Sequence, residues 1–223
     1  QKNQLMVLDI LANFNWDTPI YFAITVGGDN FMGLEKYFQL EGLAYRFVPY
    51  LTKSRDGQTG SVASDEMFDK VINKFKWGNM QDPSVYLDQT NRRMTLNFRN
   101  NFARLAEELI RNEEFEKAEI VLDKCLEVMP YEAVPFNYFN LPLAESYYKI
   151  GKNEKGKEIL EILVDHYFEE LNYFNSLDER EVSSMQRDYN IAKQVIGNLY
   201  SITNQYQEKE LFEKIEQQYK ELQ

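Results

Sequence analysis

With 223 residues, 43% of them hydrophobic and 14% aromatic, the chain has enough apolar surface for one good core or two smaller ones, and too much for disorder. Its 25 Lys and Arg against 36 Asp and Glu leave a formal net charge of -11, a field that repels phosphate backbones and argues against nucleic acid as a partner. One cysteine, Cys125, and one histidine, His166, exclude an intramolecular disulfide framework and a zinc site built from clustered Cys and His, so neither metal nor cofactor is expected.

The first ninety or so residues mix periods. "LMVLDILANF" spaces Leu5, Leu8, Leu11 and Ala12 for a helix, and "PIYFAIT" then reads as a buried strand with Pro19 at its entrance, where no ladder donor is lost. "GLEKYFQLEGL", residues 33–43, returns to helical spacing, and "AYRFVPY" reads as a second strand closed by Pro49. Residues 51–66, dense in Ser, Thr, Gly and Asp, carry loop chemistry. "DEMFDKVINKFKW" predicts a helix with Phe68, Val71, Ile72 and Phe75 on one face, and an irregular stretch runs on to residue 94. Gly27, Gly28 and Gly33 lack the spacing of a dinucleotide loop and no phosphate-binding P-loop motif exists, so the paired glycines read as a turn leaving the first strand.

From about Thr95 the pattern is almost wholly helical, and it repeats. Leu105, Ala106, Leu109, Ala118, Leu122 and Cys125 align with Leu143, Ala144, Tyr147, Gly156, Leu160 and Leu163 at a constant offset of 38. Small residues at Ala106 and Ala118 let antiparallel helices approach closely while Leu109 and Leu122 fill the space beside them, and Pro130 closes the unit, which is the tetratricopeptide pattern with the usual 34-residue period stretched by four. The expected organisation is an α+β unit over 1–94 and tetratricopeptide-like antiparallel helix pairs over 95–223. Repeats are expected at about 98–130 and 136–170, with a degenerate, highly charged cap at about 184–222. The fold class is therefore mainly α, with a small α+β N-terminal unit and an α-α superhelix.

Candidate chemistry is sparse. His166 lacks partner ligands, Cys125 occupies a packing position, and most carboxylates fall on solvated helical faces, so no catalytic residue is assigned. The one basic cluster, "NRRM" with Arg99 and Arg104, suits either anion binding or pairing within the fold. The repeat register lines a concave groove with Asn100, Ala103, Glu107, Ile110 and Arg111, joined by Tyr138, Leu141, Glu145, Tyr148 and Lys149, a mixture suited to an extended polypeptide or another protein. Aromatics of the first unit, Trp16, Tyr21, Tyr37, Tyr45 and Trp77, leave open an alternative in which the α+β part binds a sugar or phosphate, or is hydrolytic, with the helices as scaffold. A purely structural or dimerising role is a third reading.

The strings "NWDTPIYFAITVG", "GLEKYFQLEGLAYRFVP" and "NKFKWGNMQDPSVYLDQTNRRMTLNFRNNFARLAEELI" give the chain a resemblance that covers roughly residues 1–175. It resembles the C-terminal soluble portion of a family of bacterial multi-pass membrane proteins of unknown function, related to protein O-mannosyltransferase-like glycosyltransferases of the membrane GT-C type. The resemblance implies an extracytoplasmic, periplasmic domain whose partners are its own membrane portion and a polypeptide acceptor. It carries no family catalytic residue onto any position here. A start at Gln1, with no run of the roughly 18–20 apolar residues that cross a bilayer, fits the expectation of an excised tail.

Overall fold

The computed structural model describes residues 2–222. The fold is mainly α with a small α+β N-terminal part, in the order α1 (Lys2–Ala12), β1 (Tyr21–Ala23), β2 (Phe38–Leu40), β3 (Ala44–Phe47), β4 (Ser61–Val62), α2 (Ser64–Asp69), α3 (Gln89–Arg111), α4 (Phe115–Val128), α5 (Leu141–Lys149), α6 (Asn153–Ser176), α7 (Glu179–Ser184), α8 (Gln186–Gln205) and α9 (Lys209–Glu221). Two compact units result, one of residues 1–79 with 87–124, the other of 80–86 with 125–223. The boundary expected at 94/95 falls inside α3.

In the first unit the strands pair in the order β1-β3-β2-β4. Tyr21 faces Arg46 and Arg46 faces Gln39 across antiparallel pairs, while β4 runs parallel to β2 with Gln39 beside Ser61. Two expectations are corrected here. Residues 33–43 are not a helix: a single 3-10 turn, Glu35–Tyr37, leads straight into β2, because Phe38 and Leu40 point into the core while Gln39 points out, an alternation of period two. Gly42, at φ 107, then turns the hairpin, and any side chain there would strike the ring of Phe75. Within the presumed loop 51–66, Ser61 and Val62 add a short fourth strand. The predicted helix after it begins as α2 and passes into a π-helical stretch over Lys70–Lys74.

Helix α3 begins at Gln89, earlier than the change to helical pattern at about Thr95, because Asp88 caps it by accepting the Asn91 N–H at 2.7 Å. Polar anchors tie it to the sheet unit. Asn101 Nδ2 donates to the Gly42 carbonyl at 2.8 Å, and Arg104, 3% exposed, donates to Asp56 at 2.6 Å and to the Thr59 and Gly60 carbonyls. A buried charge is costly unless it is paired, and Asp56 supplies the counter-charge.

In the second unit α5 and α6 form a hairpin, α8 packs on α6, and α9 folds back on α8. The helix turns share one closure. Glu113, Gly151 and Gln207 all take positive φ, at 62, 75 and 60 degrees, and the next residue's N–H reaches back to a carbonyl five residues earlier: Glu114 to Leu109, Lys152 to Tyr147 and Glu208 to Thr203, each at 2.9 Å. This is the Schellman closure of a helix C-terminus. The first two turns lie 38 residues apart, the offset at which all the aligned apolar and small positions, from Leu105 with Leu143 to Cys125 with Leu163, are buried.

Candidate functional site

A cleft of about 640 Å³ lies in the second unit between the start of α5 and one face of α8. Its near wall is Tyr138, Leu141, Pro142 and Glu145. Asn137 starts this wall by capping the 3-10 turn Tyr138–Asn140, with Asn140 returning the bond, and the Tyr138 N–H donates to Tyr167 Oη at 2.9 Å. Burial holds the Tyr167 phenol well above its ordinary range, so the hydroxyl stays protonated and serves as a fixed acceptor. The far wall is α8, where Gln194, Asn198, Ser201 and Gln205 recur at helical spacing beside Ile191, Val195 and Ile202.

Chemically, the cleft offers carboxamides that both donate and accept, set over an apolar floor, and Glu145 is its only charged lining residue. Such groups match the alternating N–H and C=O of an extended peptide. They supply neither a nucleophile with its base nor a pair of carboxylates.

Of the ten residues expected to line a groove, Tyr138, Leu141 and Glu145 line this cleft. Tyr148 does not: it is 5% exposed, its ring stacks on Tyr206 at 4.3 Å, and its hydroxyl donates to Glu208 at 3.0 Å. Burial and the neighbouring Glu208 carboxylate push its phenol well up, so Tyr148 packs α5 against the α8–α9 turn. Lys149 is exposed. In the first unit Ala103 is buried, Ile110 half-buried, and Asn100 donates to Gln58 Oε1 at 2.8 Å, while Arg111 bridges Glu107 and Glu108 along α3. The α8 polar row of Gln194, Asn198, Ser201 and Gln205 is absent from the expected groove, although its spacing of four, three and four residues is readable in "QVIGNLYSITNQ".

Elsewhere, His166 is partly exposed and pairs with Glu170 at 3.5 Å, and Cys125 is buried. Arg99 and Arg104 of the basic cluster are buried within the first unit, whereas Arg92 and Arg93 are exposed. Among the described residues no group of three or more His, Cys, Asp or Glu could hold a metal ion, and no helix is long and apolar enough to cross a membrane.

Residues 1–66 match the family model described as TMEM260-associated domain 2. The match covers all four strands of the sheet and the helix before it and ends within α2. No curated protein and no solved structure matches the chain.

Proposed function

We propose that the chain is a non-catalytic, extracytoplasmic protein-interaction domain that recruits or positions a polypeptide acceptor beside a membrane glycosyltransferase-like parent. The cleft between α5 and α8 carries this reading: an amide-rich wall over apolar side chains, with one charge, suits an extended and mostly uncharged segment. The repeated Schellman turns and the buried positions at an offset of 38 support a tetratricopeptide-like register, in which α5 and α8 are the first helices of successive pairs and face the concave side. The TMEM260-associated match over residues 1–66 supports a membrane-protein parent.

The test is a fluorescence-polarisation screen of this chain against overlapping peptides from extracytoplasmic proteins. At least one uncharged, extended peptide should bind, and the double change Gln194→Ala with Asn198→Ala should weaken it roughly tenfold, about 1.4 kcal/mol, without altering the melting temperature. Both side chains are exposed, so their removal spares the fold. Peptide binding that ignores the double change would remove the cleft from the reading, and absence of any peptide binding would remove the function.

A further inference from the structure

The first unit holds a second, smaller site that owes nothing to the helical cleft. Strand alternation sends Phe22, Phe38, Leu40 and Tyr45 to the core side of the sheet and lines Tyr21, Gln39 and Arg46 in one cross-strand row on the other. Glu41, two residues after Gln39, joins that polar face. Its side chain is only 2% exposed, and it accepts from Tyr21 Oη at 2.9 Å, Lys70 Nζ at 2.5 Å and Arg46 Nη1 at 3.2 Å. Burial works against the ionised form, but the hydrogen bonds from Lys70, Tyr21 and Arg46 outweigh it and hold the carboxyl below its ordinary range.

In front of this carboxylate lies a cavity of about 210 Å³ whose lining includes Trp16, Gln39, Glu41, Arg46, Tyr50 and Glu66. Trp16 takes φ 68, a conformation that a bulky side chain rarely adopts, yet the residue remains 48% exposed. The ring lies nearly parallel to Phe47, at 5.5 Å and 16 degrees, meets the tilted ring of Phe14 at 4.6 Å, and lines the cavity beside the polar row. Those ring contacts hold a strained backbone conformation while the residue stays half-exposed at the cavity, and such outliers concentrate at ligand sites.

The chemistry narrows the ligand. Glu41 and Glu66 stand against Arg46 and Lys70, so the four charges sum to zero and a strongly charged ligand gains little. The rim mixes donors and acceptors: the Gln39 amide, whose oxygen accepts from Tyr50 Oη at 3.3 Å, the free edge of the Arg46 guanidinium, and the Glu66 carboxylate. A flat aromatic face beside mixed donors and acceptors complements a pyranose, whose axial C–H face meets the negative π cloud while its hydroxyls reach the rim. The volume lies below the roughly 300 to 1,000 Å³ of sites for drug-sized ligands, which suits a single ring. We infer that this pocket binds one neutral hexopyranose unit, stacked on Trp16 with its hydroxyls on Gln39, Arg46 and Glu66.

Saturation-transfer NMR with this chain and the methyl pyranosides of the gluco, manno and galacto series tests it, alongside disaccharides ending in the same sugars. At least one series should show transfer strongest at the ring C–H protons. Disaccharide binding equal to or better than the methyl glycoside identifies a glycan terminus as the ligand, and binding of the methyl glycoside alone identifies the free sugar. Trp16→Gly removes the ring while suiting the positive φ, and it should lose affinity at least tenfold with circular dichroism unchanged. Gln39→Ala, on the partly open face, should weaken binding severalfold and serves if the first variant misfolds. No transfer from any pyranoside, or transfer that persists undiminished in both variants, overturns the inference.

Discussion

At the scale of single residues, the helix turns show how little the backbone geometry depends on finding the ideal side chain. Gly151, Glu113 and Gln207 occupy equivalent left-handed positions, and only the first is the residue that this conformation favours. For a residue with a Cβ, the left-handed region costs roughly 1–2 kcal/mol, offset in part by the greater freedom that glycine gives the unfolded chain. Glu113→Gly should therefore stabilise by about 0.5 kcal/mol, and Gly151→Ala should destabilise by about 1 kcal/mol. Chemical denaturation of the two variants beside the parent checks the opposite signs. A loss of stability in Glu113→Gly would mean that the glutamate side chain contributes more than its backbone strain removes.

At the scale of elements, boundaries follow from caps and alternation more than from composition. Asp88 fixes the start of α3, and Asp88→Ala should cost about 1 kcal/mol and fray the first turn, visible as faster amide exchange at residues 89–92 with the centre of the helix unchanged. That start was legible in "DQTNRRM" only as a single capping residue, which an irregular reading of the preceding segment obscured. Helices α5, α6 and α8 of the second unit were plain in the sequence because each buries a stripe at a 3.6 period, as Leu143, Ala144 and Tyr147 do on α5. The strands were not, since three residues such as Phe38, Gln39 and Leu40 sit equally well on a helical face, and only pairing with β3 decides between them. The same shortness hid the polar face of the sheet: Gln39, Glu41 and Arg46 become neighbours through strand register, which no local pattern encodes. The cleft was half legible, because Tyr138, Leu141 and Glu145 follow from the repeat register while the α8 amides come after an insertion that shifts it.

At the scale of the whole molecule, the two units hold carboxylates shifted in opposite directions. In the first, Glu41 and Asp56 are held below their ordinary values near 4.5 and 3.8: burial opposes ionisation, and hydrogen bonds from Lys70 to Glu41 and from Arg104 to Asp56 more than compensate. A depressed carboxyl contributes stability above its unfolded value, and that contribution is lost as pH falls through the folded value. In the second unit Glu170 is shifted the other way, raised by burial and by nearby Asp188 despite His166, so its protonation on acidification favours the folded form. Lowering the pH from 7 through 4.5 towards 3 should accordingly loosen the first unit before the second. Hydrogen exchange followed by mass spectrometry, corrected for the intrinsic pH dependence of exchange, should show protection falling over 38–47 and 95–109 while 159–171 and 192–203 remain protected. Glu41→Gln removes one of the titrating groups and should flatten the acid limb of the first unit, at the cost of lower stability at neutral pH because Lys70 and Arg46 lose their counter-charge. Simultaneous loss of protection in both units, or earlier loss in the second, would show that the ion pairs around Glu41 and Asp56 do not govern acid stability.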